Sequence, residues 1–384
     1  MEFASNVKDL SGSAIRETFK LLSQPGIISF AGGMPAPELF PKNELAEISR
    51  EILENNGNVA LQYGMTDGYA SLLKQIEQRL GDKLKDGDSV ITTAGGQGGL
   101  YLTSKILLDP GDGVVCEKPS FVGALNCFRA FGAKLFGVDL QEDGIDMLQL
   151  ENILATEKIK FIYTIPNFQN PTGITASIEK RRKLLELANR YDVLILEDDP
   201  YGELRFAGED IPTLKELDAN GRVIYVGTFS KILSPGLRVG FVCANAAITE
   251  KMSVCKQVVD VHTSVLSQMI ASEFMNRYSI DEHIEKMKIL YREKCELMLD
   301  CVDKYFPVKT TRPQGGLFLW CWGDGTTDCI EVYKKAVARL VAFVPGNSLM
   351  PDSMVKTSAF RLNYSTSSLE NIEKGMKILG EVLS

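Results

Sequence analysis

The chain has 384 residues, with 42 basic and 50 acidic side chains for a net charge of −8, and 45% of its residues are hydrophobic. At about 150 residues per domain this length suggests two or three domains, with core enough to fold without disulfides or metal. The acidic balance argues against a protein that coats nucleic acid or an anionic membrane, and the apolar content argues against a disordered chain.

Met1 to Leu10 carry acids and amides and no apolar leader, and no stretch holds eighteen uninterrupted apolar residues. Neither a signal peptide nor a membrane span is expected. The cysteines at 116, 127, 243, 255, 295, 301, 321 and 329 form no Cys-x-x-Cys pair, and His262 and His283 are the only histidines. The expectation is free thiols in a reducing compartment, the cytoplasm, with no disulfide framework and no metal site.

A regular pattern sets in at residue 89. Ser89–Thr93 predicts a strand, Gln97–Leu108 a helix, Gly113–Glu117 a strand, Phe121–Phe131 a helix and Lys134–Val138 a strand. Lys160–Ile165 continues as a strand, Ile178–Arg190 as a helix, and Val193–Glu197, Arg222–Gly227 and Val239–Cys243 as strands. Short apolar runs alternating with helices predict an α/β fold, a mainly parallel seven-stranded sheet sandwiched by helices. From Ala247 to about Tyr305 the pattern is helical, with Ile284, Met287, Leu290, Leu297, Met298 and Cys301 at three- and four-residue spacings. Strands at Leu317–Cys321 and Ala359–Asn363, with helices between and after, predict a second, smaller α+β unit. With no repeat and no low-complexity linker, the units are expected to pack tightly.

In an open α/β sheet ligands bind beyond the carboxyl ends of the strands. Asn170, Asp198 and Lys231 follow three such strands, in Pro166–Gly173, Glu197–Tyr201 and Gly227–Lys231. Each alone has a plain structural reading: Asn170 before Pro171 is turn chemistry, Asp198 can cap a turn, and Lys231 can be a solvated lysine at a helix start. Three together suit pyridoxal phosphate. A lysine amine can hold the aldehyde covalently, a carboxylate can keep the ring nitrogen protonated, and Asn170 with the Tyr201 phenol can bond the ring oxygen. The phosphate would sit where Thr92–Gly99 joins a strand to a helix start. Thr228 and Ser230 add hydroxyls, and Arg238 a fork of donors. Phe121 can stack on the ring or be an ordinary core aromatic.

These residues resemble the fold-type I pyridoxal phosphate aminotransferases, and among them the 2-aminoadipate/kynurenine aminotransferases. The likeness spans nearly the whole chain: Ser29–Pro41, Leu61–Gly64, the Asn170 and Asp198 segments, Ser230–Gly240, Gly315–Trp320 and Phe360–Ser365. It implies a large cofactor domain over 40–275 and a small domain from 1–39 with 276–384. It implies Lys231 as the cofactor lysine, Asp198 as partner of the ring nitrogen, Asn170 and Tyr201 on the ring oxygen, and Phe121 stacked. Gly96, Gln97, Thr228, Ser230 and Arg238 would surround the phosphate, with Tyr63 reaching in from the second subunit of a homodimer. Arg361 would clamp the substrate α-carboxylate, helped by Asn170 and Gly33. Arg16 matches a helix that contacts the substrate side chain; its plain reading is a solvated helix face, as that of Arg361 is a surface arginine on a strand.

Two departures stand out. The phosphate segment reads Gly95-Gly96-Gln97-Gly98-Gly99, where the family usually has Gly-Ser-Gln-Gln-Ala, so a hydroxyl is missing. Phe121 stands where tyrosine is common and cannot donate a hydrogen bond. The implied activity is transfer of an α-amino group to 2-oxoglutarate in a two-half, ping-pong cycle, with 2-aminoadipate or a broad set of aromatic and aliphatic amino acids as donors. A lyase or β-eliminase on the same scaffold is the first rival. A regulator domain is the second, and it is disfavoured because the resemblance begins within fifteen residues of the start, leaving no room for a DNA-binding domain.

Overall fold

A computed structural model describes residues 26–323, 325, 328–352 and 354–384, and the statements below concern these. Strand β1 (Ile28–Ser29) is followed by helices Lys42–Ala60 and Ala70–Leu80. The large sheet is built from β2 (Asp88–Ala94), β3 (Gly113–Lys118), β4 (Lys134–Gln141), β5 (Gly144–Ile145), β6 (Ile159–Thr164), β7 (Leu194–Asp198), β8 (Val223–Thr228) and β9 (Val239–Asn245). Its order is β2-β9-β8-β7-β6-β3-β4-β5. The pairs among β4, β3, β6, β7 and β8 are parallel, whereas β9 runs antiparallel to both β2 and β8. The expected seven strands are all present, and the two-residue β5 adds an antiparallel edge to β4.

Burial on both faces explains the unbroken apolar runs. In β3, Val114 and Cys116 enter one core and Val115 the other; in β6, Phe161 and Tyr163 split from Ile162 in the same way; in β7, Leu196 splits from Ile195. Period-two alternation inside an all-apolar strand is what a sheet covered on both sides produces.

The helical stretch after β9 is three helices, not one run: Ala246–Val259, Val265–Arg277 and Ile280–Tyr305. Polar caps divide it. Asn245, Ser264 and Ser279 accept from the backbone N–H groups of Ala247, Ser267 and Glu282, closing each helix start. The second unit contains β10 (Lys309–Thr310), β11 (Phe318–Trp322), β12 (Val341–Ala342), β13 (Val344–Pro345) and β14 (Phe360–Asn363). An antiparallel sheet orders four of them β10-β11-β14-β13, while β12 pairs with β1 and so ties residues 28–29 to this unit. No helix among the described residues is long and apolar enough to cross a membrane.

Candidate active site

Asp198 is the last residue of β7 and is only 5% exposed. Tyr163, from the neighbouring β6, donates its hydroxyl to Asp198 Oδ2 at 2.9 Å. Burial pushes the Asp198 carboxyl up to about 7; the Tyr163 bond and the Lys231 charge pull the other way, while Asp199 adds to the rise. Lys231 lies three residues beyond β8, and its Nζ donates to the Gly33 carbonyl at 2.6 Å. Withdrawal from water lowers this amine to about 8, helped by the positive charges of Arg361 and Arg238 and opposed by Asp198. An amine and an acid thus share one crevice, each close to neutral pH in its titration. Thr228 ends β8 with its Oγ1 3.0 Å from Ser230 Oγ, and the Ser230 N–H donates to that same oxygen.

A second cluster closes the crevice from the smaller unit. Arg361 on β14 is buried, donating from Nη1 to Asn170 Oδ1 at 2.8 Å and from Nη2 to the Ala31 carbonyl at 2.6 Å. Its guanidinium lies 4.4 Å from the Phe318 ring centre, and Tyr201 meets the same ring edge-on at 5.6 Å. Asn170 Nδ2 donates to the Tyr201 hydroxyl at 3.3 Å. Burial lowers the guanidinium to about 10, so it is a cation at neutral pH. Its Nε is buried without a partner, and among the described residues no carboxylate pairs with it. A buried cation bonded only by neutral groups suits an anionic ligand.

The third cluster is a cradle of backbone. Gly95 has φ +71°, and a Cβ there would fall 2.5 Å from Arg238 Nη2. A Cβ on Gly240 would lie 2.6 Å from the Gly95 backbone. Gly95 therefore leaves room for the Arg238 side chain to reach the Ala94 carbonyl at 2.9 Å, beside the start of helix Gly96–Leu107, while Gly240 lets β9 pass close to the Gly95 backbone. Arg238 itself holds left-handed backbone, φ 55° and ψ 41°, which re-aims the chain between Leu237 and β9. Gly96 is roomier: its nearest neighbours would be Val226, Asp198 Oδ1 and Thr228 at 3.8–3.9 Å. Gln97 donates to the Gly123 carbonyl, and the Phe121 ring lies against Gly123, so both pack around that glycine beside the helix start. A helix start, a guanidinium fork and two hydroxyls fit a phosphate group.

The structure thus brings Lys231, Asp198, Tyr201, Asn170, Arg361, Gly33, Thr228, Ser230, Gly96 and Arg238 to the strand ends. Tyr63 is not among them: it is 80% exposed and packs edge-on against His262. Arg16 lies outside the described residues. Sequence reasoning missed Tyr163, whose signal was a phenol directly after the apolar pair Phe161 and Ile162 near the carboxyl end of β6, and the Phe318 platform under Arg361. A separate cleft of about 610 Å³, lined among others by Arg79, Asn167, Asp199 and Tyr225, contains none of the crevice's amine, acid or guanidinium groups.

The class this fold and crevice define is also the class the chain matches. Residues 35–379 match aminotransferase class I and II, and the chain belongs to that family. The aromatic-amino-acid aminotransferase 1 of Thermococcus litoralis is 38% identical, over 99% of this chain and 94% of that protein. The 2-aminoadipate transaminase of Thermus thermophilus is 39% identical, over 99% and 96%. The crystal structure of Pyrococcus horikoshii kynurenine aminotransferase, in complex with PMP, kynurenine and product, superposes with a TM-score of 0.95 at 36% identity, over 99% and 96%. The expected subgroup and the fold-type I architecture are borne out.

Proposed function

We propose that this aminotransferase holds pyridoxal phosphate in the crevice and moves the α-amino group of an amino acid to 2-oxoglutarate by a ping-pong cycle. The observation that carries the reading is Arg361, a buried cation with an unpartnered Nε, placed in the same crevice as the Lys231–Asp198 couple. When bound, the cofactor supplies an aldehyde that accepts the amino group and a ring that withdraws electrons from the substrate Cα.

The residues supply the rest. Arg361 and Asn170 bind the α-carboxylate, and the Phe318 ring fixes the plane of the guanidinium. The Lys231 amine, lowered to about 8, is uncharged in a useful fraction near neutral pH and carries the proton to and from Cα. Asp198 is the anion that holds a protonated ring nitrogen, steadied by Tyr163. Tyr201 and Asn170 face the ring oxygen, and Phe121 the ring. The N–H groups of Gly96 and Gln97, the hydroxyls of Thr228 and Ser230, and Arg238 hold the phosphate. Tyr63, exposed in one chain, completes the phosphate site of the partner in a homodimer. With domains of 40–275 and of 1–39 with 276–384, the cofactor belongs to the first and Arg361 to the second. Seven of the eight thiols are buried and all are free, which accords with work in the cytoplasm.

The donors we favour are 2-aminoadipate and glutamate, with aromatic and aliphatic amino acids as further substrates. The test is a donor panel with 2-oxoglutarate, preceded by a single half-reaction without it. One equivalent of 2-oxo acid per site supports transamination; release of pyruvate and ammonia, or of a thiol, in place of it refutes it.

A further inference from the structure

Two buried side chains outside the crevice hold both of its loops. Glu117, near the end of β3, accepts three hydrogen bonds: Oε1 from Thr164 Oγ1 at 2.5 Å and from Ile165 N at 3.1 Å, and Oε2 from Gln169 Nε2 at 2.9 Å. Gln169 uses its whole capacity. Its amide nitrogen also donates to the Pro119 carbonyl at 2.9 Å, and its Oε1 accepts from Thr172 N and Thr172 Oγ1 at 2.9 and 2.7 Å. Its backbone N–H and carbonyl bond Ile174 and Gly173. One side chain therefore joins the loop after β3, which leads into Phe121, to the loop after β6, which carries Asn170.

We infer that Glu117 and Gln169 form a positioning clamp that sets the spacing between the stacking residue Phe121 and the carboxylate-binding pair Asn170–Arg361. The inference rests on the function proposed above. Neither clamp residue bonds Lys231, Asp198, Tyr201 or Arg361, so each acts through the loops. Asn170 is the next residue after Gln169 and both of its amide atoms are engaged, by Arg361 and Tyr201. A shift of the loop therefore moves the guanidinium and the phenol together. The arrangement demands polarity as well as shape. Glu117 meets donors on both oxygens, and an amide has only one acceptor atom to offer.

Glu117→Gln therefore sets an N–H against the Gln169 N–H, or, flipped, sets its N–H against the Ile165 N–H while the Thr164 hydroxyl turns to accept. Gln169→Glu sets a carboxylate oxygen against Glu117 Oε2 and the Pro119 carbonyl. The double variant E117Q/Q169E restores one donor–acceptor pair at the Glu117–Gln169 contact and keeps the acceptor for Thr172. Each single variant should raise the donor KM, and the Kd of pyridoxal phosphate for the apoprotein read by tryptophan fluorescence, by about tenfold, with kcat within about threefold. The double variant should recover part of both losses, its constants falling below those of either single variant but staying above the parent's, because the Pro119 carbonyl still faces a carboxylate oxygen. Parental values in the single variants, or losses that multiply in the double, overturn the clamp. If a single variant does not fold, Thr172→Val removes one of the two bonds to Gln169 Oε1. It should raise the same two constants about threefold, and unchanged constants overturn the inference. A parent apoprotein that takes up no cofactor refutes the functional reading itself. A competent parent with indifferent variants refutes only the clamp.

Discussion

Replacing Asp198 with asparagine should stabilise the cofactor-free protein while abolishing its activity. The carboxyl ionises at 3.8 in the unfolded chain and at about 7 in the folded one, chiefly because burial penalises the charge. Between these values the folded state binds more protons than the unfolded state, so stability falls as pH rises through the window. The penalty is small at pH 4 and complete above about 7. At about 1.4 kcal/mol per pH unit, the shift from 3.8 to about 7 amounts to roughly 4 kcal/mol at pH 8 and about 2 kcal/mol at pH 5. The hydrogen bond from Tyr163 and the charges of Asp199 and Lys231 are already reflected in its shift. The substituted amide oxygen can still accept from the Tyr163 hydroxyl, so the hydrogen bond survives the change. With an unfolding entropy of about 2 cal/mol/K per residue, 4 kcal/mol raises Tm by about 5 °C in a chain of 384 residues. The assay is thermal unfolding of apoprotein and apo-D198N at pH 5 and pH 8. The gain should be about 3 °C larger at pH 8 than at pH 5. Saturating pyridoxal phosphate should then stabilise the parent more than the variant. An apo-D198N no more stable than the parent at pH 8 would mean that the carboxylate is ionised and satisfied by a partner the structure lacks, and the argument would fall.

Lys231→Ala should fold and lack the absorbance band of lysine-bound cofactor; an undiminished band in the purified variant refutes its assignment. Arg361→Gln should lower kcat/KM about a hundredfold for every donor alike, because all carry an α-carboxylate and truncating a buried charge partner costs about 3 kcal/mol. A loss confined to one donor class would reassign it. Arg16→Gln should lower kcat/KM for 2-aminoadipate and glutamate by about one to two decades, the worth of a charge-assisted contact, and leave leucine and phenylalanine nearly unchanged. An equal loss for acidic and apolar donors would make Arg16 structural. Gly96→Ser should tighten cofactor binding about threefold, since the position has ordinary van der Waals room and regains a hydroxyl, whereas Gly99→Ala should destabilise, its Cβ falling 2.9 Å from Val226 and 3.0 Å from Val242. Reconstitution titrations and thermal unfolding separate the two, and a weaker cofactor affinity in G96S would exclude a phosphate at that helix start.

The sheet was legible because strands buried on both faces must read as apolar runs, and the crevice because an amide, a carboxylate and an amine, each with an ordinary loop role alone, follow three such runs. What the sequence left open was pairing. Whether Arg361 is a surface arginine or a buried cation depends on β14 lying between β11 and β13, with Trp320 and Val344 as its register partners. Glu117 passed unnoticed for the same reason. Its role follows from the parallel register of β3 and β6, where Cys116 stands beside Tyr163 and the next residues, Glu117 and Thr164, come within hydrogen-bond reach. The division of residues 247–305 into three helices was readable in principle, since Ser264 and Ser279 are cap residues, but the apolar spacing continues past them and masks the breaks. The helices Lys42–Ala60 and Ala70–Leu80 precede the point where the strand–helix alternation begins, so that alternation could not announce them.

Register also explains how one acid is kept for a ligand where the chain offers three in a row, Glu197, Asp198 and Asp199. Alternate residues of a strand face opposite sides, so Glu197 and Asp199 turn away from Asp198. Glu197 is spent at once: its oxygens accept from the Leu214 and Lys215 N–H groups at 2.9 and 2.8 Å, capping the helix Leu214–Leu217. Asp199 is spent on Asn167 and Tyr225, at 3.0 and 2.9 Å, on the side of the large cleft. Asp198 receives only the Tyr163 hydroxyl, on Oδ2, and its Oδ1 points to the space above Gly96. A shift of one residue in β7 would present Glu197 or Asp199 to the crevice, each a carboxylate with a different reach, and would leave Asp198 facing the Leu214 helix start. The strong parallel register of β7 between β6 and β8 forbids that slip, because it would also turn Leu196 out of one core and Ile195 out of the other. The apolar alternation within Leu194–Asp198 is thus what selects the acid that faces the Lys231 amine.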